Sequence, residues 1–117
     1  MKTAWIVAVL VMASALRVSA QPQSGSELFE DRCAGCHVPA GGGQGPSLTG
    51  VVGRKAGAVA GFEYSPAMKA SNIIWTSETL DAFLADPGKV VPGTAMPVHI
   101  PDAAQRAAIV SYLAAGH

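Results

Sequence analysis

Two thiols and an imidazole stand in one five-residue run, Cys33-Ala34-Gly35-Cys36-His37. Cysteines three positions apart suit addition to the two vinyl groups on one edge of a haem, and the histidine that follows then projects to the iron as an axial ligand. Other chemistries use similar residues. A structural zinc site needs four ligands, but no second Cys/His pair exists, and His99 and His117 lie far along the chain. A thioredoxin-like dithiol is expected beside a strand in an α/β pattern, which this sequence lacks. One disulfide is all that two cysteines permit, and at this spacing it closes no useful loop. The pattern therefore points to covalent haem attachment through Cys33 and Cys36, with His37 on the iron.

An iron that only carries electrons needs a sixth ligand, and methionine is the one that raises the potential in such proteins. Met96 lies in Val91-Pro92-Gly93-Thr94-Ala95-Met96-Pro97. A segment stiffened by proline and glycine is a poor place for a methionine used as core filler, so Met96 is the expected second ligand. His99 reads as a solvent-facing loop residue.

The elements that must hold these groups are short. Ser26 reads as the cap of a first helix carrying Glu27, Leu28 and Phe29 into Cys33. Ser65-Pro66 opens a second, through Ala70. Thr76 caps a third over Ser77 to Ala85, stopped by Asp86-Pro87-Gly88. Asp102, with Gln105 three residues on, opens the last, with Ile109, Val110, Tyr112 and Leu113 as its apolar face and Gly116 as its close. Nothing alternates with period two. The Gly-rich stretch 38–62 shows no sustained period and reads as loops, a length that fits a compact domain if it wraps a ligand. The fold class is all-α: about four short helices and long loops around one covalently bound haem.

The first twenty residues form a separate unit. Lys2, the apolar run from Ala4 to Leu16, and Val18-Ser19-Ala20 have the three-part layout of a secretory signal peptide. The run is short for a membrane anchor, which needs about 20 residues. Cleavage after Ala20 removes twenty of 117 residues and leaves a 97-residue domain, 21–117. It also removes Lys2 and Arg17, leaving six basic residues against eight acidic ones. With no basic patch, nucleic acid is not an expected partner. So small a domain commonly leans on a staple, metal or cofactor for its core.

Beyond these readings, the mature chain resembles the mitochondrial cytochrome c and bacterial cytochrome c2 family. The resemblance rests on Cys33 to His37, Gly45-Pro46-Ser47-Leu48-Thr49-Gly50-Val51-Val52-Gly53-Arg54-Lys55, and Gly61-Phe62-Glu63-Tyr64-Ser65. Trp75-Thr76-Ser77-Glu78-Thr79-Leu80 and Val91 to Met96 complete it. It implies that the Pro46 carbonyl accepts the proton of the free His37 nitrogen, which raises ligand basicity. It also implies that Arg54, Tyr64 and Trp75, with Ser65 and Thr94, hydrogen-bond the haem propionates, and that Gly25 and Phe29 pack against Tyr112 and Leu113. Phe83 and Met68 stand where the family often has tyrosine and asparagine, which implies a drier distal side. Most lysines of the mitochondrial docking face are absent. The implied protein is no enzyme but a monomeric periplasmic electron carrier. Its redox partners, a membrane oxidase or reductase or a periplasmic dehydrogenase, would dock transiently, with Lys89 and the loop Pro97 to Pro101 near the haem edge. The alternatives are a haem subunit of a larger dehydrogenase or reductase, and a ligand-sensing or peroxidase-like haem protein with an open iron position.

Overall fold

The computed structural model describes residue 16 and residues 21–117. The expected signal peptide therefore lies almost wholly outside the described residues. Among the described residues five helices follow in order: α1 (Gly25–Arg32), α2 (Pro66–Ala70), α3 (Ser77–Ala85), α4 (Pro87–Val90) and α5 (Ala103–Ala114). Among the described residues there is no strand, only an isolated bridge between Lys55 and Ile74. None of their helices is long and apolar enough to cross a membrane.

Each helix starts where a side chain satisfies its free backbone donors. In α1 the cap is Ser24 and not Ser26. Its hydroxyl accepts from the Glu27 N–H and the Glu27 carboxylate accepts from the Ser24 N–H, both at 3.2 Å. That reciprocal box needs Glu three residues after the cap, a spacing Ser24 has and Ser26 lacks. Ser65 and Thr76 cap α2 and α3 as expected, and Asp102 accepts from Gln105 N–H at 2.8 Å to open α5. The count is five because Asp86 both ends α3 and caps α4, with Pro87 at its first position. Proline stops the incoming helix but suits the first turn of the next.

Helix α5 is the hub, in contact with α1 and α3. Gly25 lets α1 approach the Ala108 carbonyl and the Tyr112 Cβ, where any side chain would collide. Beside it the Phe29 and Tyr112 rings sit 5.3 Å apart. On the other side Arg106 binds Asp81 of α3 at 2.8 Å and the carbonyls of Ile100 and Pro101 at 3.0 and 2.8 Å. The Ile100 N–H donates to Leu84 at 2.7 Å. Together these bonds pin the far end of the segment that carries Met96 to α3 and α5.

The core is a shell. Of the 14 residues that form the hydrophobic core among those described, eight (Cys33, Val51, Trp75, Leu80, Phe83, Leu84, Ile109 and Leu113) also line one internal cleft. The helices thus pack around a space as well as against one another.

Candidate functional site

That cleft contains about 1340 Å³ of empty space, counting its solvent-open mouth. All ten residues singled out for the site line it: Cys33, Cys36, His37, Pro46, Arg54, Tyr64, Ser65, Trp75, Thr94 and Met96. They arrive from five directions, Trp75 coming from the connection between α2 and α3. Cys33 caps the end of α1, and the turn after it is closed by His37 N–H on the Cys33 carbonyl at 2.9 Å. Pro46 and Arg54 come from the long loop, Tyr64 and Ser65 from the entry to α2, and Thr94 and Met96 from the segment after α4.

His37 is held first. Its Nδ1 lies 2.8 Å from the Pro46 carbonyl oxygen. A carbonyl can only accept, so Nδ1 carries the proton and Nε2 is left with a lone pair, the form a metal ligand requires. Cys33 is buried and Cys36 is exposed. Burial pushes the Cys33 thiol up from its ordinary value, opposed by the nearby Arg32 guanidinium and reinforced by Cys36.

The polar groups are already partly engaged. Arg54 donates to the carbonyls of Ser47 at 2.8 Å and Thr49 at 3.2 Å, so it braces the loop whose wall it forms. The Tyr64 hydroxyl accepts from Val59 N–H at 3.0 Å, which leaves its own proton for another acceptor. Ser65 and Thr94 accept from the N–H groups of Met68 and Met96, at 3.2 and 3.3 Å. Trp75 is buried, its ring 5.1 Å from that of Phe83.

The cleft also reaches residues that spacing alone did not single out for it. Leu48, Val51, Leu80, Leu84 and Ile109 supply its apolar wall, and Arg32 and Lys55 its basic rim. Phe83 and Met68, expected to dry the distal side, both line it. Pro97 and Val98 reach it, whereas Lys89 and His99 are exposed residues outside its lining. Two thiols, an oriented imidazole and a thioether in one apolar cleft form a donor set that fits a haem.

The family model for cytochrome c matches residues 22–116. The chain belongs to the cytochrome c family. It is 43% identical to cytochrome c type-1 of Ascaris suum over 94 residues, which is 78% of this chain and 84% of that one. It is 39% identical to cytochrome c2 of Rhodomicrobium vannielii over 99% of this chain and 95% of the relative. Among solved structures it resembles cytochrome cH from Methylobacterium extorquens, with TM-score 0.74 and 41% identity over 78% of this chain and 94% of that one. Ferricytochrome c2 from Rhodopseudomonas palustris gives 0.73 and 34%, covering 80% and 96%. As a cytochrome c the chain carries one covalently attached haem c with its iron. It is an electron-transfer protein acting between redox partners and not an enzyme.

Proposed function

We propose that this cytochrome c is a soluble carrier exported to the periplasm, whose haem is attached through Cys33 and Cys36 and ligated by His37 and Met96. The observation that carries the reading is the His37–Pro46 bond at 2.8 Å, inside a cleft that Met96 also lines. The bound group supplies a one-electron couple. The protein's own residues set the terms on which that couple works. Pro46 orients the imidazole and makes it a stronger donor. A thioether sulfur from Met96 favours the reduced iron and so a higher potential. The apolar wall keeps water away, and little has to move when one electron arrives.

Burial favours the neutral form of the Cys33 sulfur, and a thioether is neutral as well, so attachment adds no charge to that buried position. Arg54, Tyr64, Ser65, Trp75 and Thr94 would hold the propionates, the Tyr64, Ser65 and Thr94 hydroxyls each accepting one backbone N–H and keeping their own protons for that purpose. Export is supported by the Lys2, Ala4 to Leu16 and Val18-Ser19-Ala20 layout. The match to a cytochrome c2 over 99% of the chain extends across these first residues. The partners would be a membrane oxidase or reductase or a periplasmic dehydrogenase, met through a small transient interface by a monomer.

Denaturing mass spectrometry tests the attachment and the export together. Protein matured with haem-attachment machinery should have the mass of residues 21–117 plus one haem, and its voltammogram one reversible one-electron wave. A haem lost on denaturation would refute the thioethers, and an uncleaved leader would refute release as a soluble carrier.

A further inference from the structure

Gly45 has no side chain, and the structure leaves no room for one. It is buried, its N–H donates to the Cys36 carbonyl at 2.9 Å, and it immediately precedes Pro46. A Cβ built there would stand 2.5 Å from Cε1, 2.6 Å from Nδ1 and 3.0 Å from Nε2 of His37. The nitrogens are only 0.1 and 0.5 Å farther than the carbon between them, so that Cβ would lie over the ring face and not off its edge.

The usual reason for glycine does not apply. Gly45 is not among the glycines with positive φ, so a left-handed backbone is not what calls for glycine here. The three atoms nearest an added Cβ all belong to the His37 ring. Meanwhile the Pro46 bond constrains His37 incompletely. One hydrogen bond at Nδ1 fixes the direction in which the ring points but leaves rotation about the N···O line soft. A wall against the ring face removes that freedom.

We infer that Gly45 is a positioning residue for His37: its bare Cα sets the plane of the imidazole, as the Pro46 carbonyl sets its direction. The inference rests on the reading of His37 as the iron ligand. The plane of an axial imidazole governs how its π orbitals meet those of the iron. The wall therefore acts on the electronic structure and potential of the centre as well as on packing.

The test compares haem-loaded Gly45→Ala with Gly88→Ala and the unsubstituted protein. Gly88 lies in α4 outside the cleft lining, where a Cβ meets only Asp86 Oδ1 at 3.9 Å and φ is not positive. The readouts are the g-values of the oxidised protein by electron paramagnetic resonance and the midpoint potential. Gly45→Ala should shift both, while Gly88→Ala should reproduce the parent. A Gly45→Ala protein that loses thermal stability but keeps the parent's g-values and potential would overturn the inference, since mere packing predicts that result. A second measurement needs no variant. In the reduced, diamagnetic protein the Gly45 Hα signals should be displaced by the imidazole ring current and show direct Overhauser contacts to His37 Hε1. Their absence would overturn the inference even if Gly45→Ala fails to mature. A parent protein with no haem spectrum would instead remove the functional reading beneath it.

Discussion

His37 has one nitrogen engaged by Pro46 before any iron is considered, and the engaging atom is a backbone carbonyl. Pro46→Ala should therefore keep the bond. We expect a nearly unchanged potential and a stability loss of about 0.4–1 kcal/mol from the freer unfolded chain. A potential change as large as that of an axial-ligand substitution would contradict this. Met96 is the opposite case, because its side chain is the proposed ligand. Met96→Ala should open the sixth position, allow carbon monoxide to bind the reduced protein, and lower the potential by a sizeable part of the roughly 0.8 V that axial ligation spans. Potentiometry with and without carbon monoxide checks it. The Cys-x-x-Cys-His run and the methionine segment were legible because their chemistry dictates residue types at fixed spacing. The Gly45 contact was not, since it depends on empty space between residues brought together by the turn after α1.

At the scale of elements, the Arg106 cluster ties α5 to α3 and to the end of the Met96 segment. Arg106 is largely buried, with 14% of its side chain exposed, while Asp81 is 49% exposed. The exposed partner contributes little, because solvent screens the pair. Arg106→Ala also strips two carbonyls of their donor. It should cost about 1.5–3 kcal/mol in denaturant unfolding, and Asp81→Ala under about 1 kcal/mol. Equal losses would show that the ion pair, and not the carbonyl bonds, does the holding. Helix boundaries were legible where one polar residue caps one helix: Ser65, Thr76 and Asp102 all act as their types suggest. Two features were hidden for physical reasons. Gly25, a poor helix former, occupies the first position of α1 because α5 packs against it, which drew the expected cap forward to Ser26. Helix α4 is four residues long, too short to show a period, and its cap, Asp86 before Pro87, has the sequence of a helix stop.

At the scale of the molecule, the same residues serve as core and as cleft wall, eight of the 14 that form the hydrophobic core of the described residues. A chain without its haem would leave that wall facing water, and a domain of this size has little other core to rely on. Cys33→Ala/Cys36→Ala protein prepared without haem should give no cooperative thermal transition by circular dichroism. A sharp transition would mean that the helices support themselves. Residues 21–117 include six basic and eight acidic ones, so long-range steering should be weak. An electron-transfer iron held by His37 and Met96 is tested most directly by the absorbance spectrum of the purified protein, oxidised and reduced, with and without carbon monoxide. Such an iron gives a weak long-wavelength sulfur-to-iron charge-transfer band in the oxidised form and no change on adding carbon monoxide to the reduced form. Ready binding of carbon monoxide without that band would contradict this ligation.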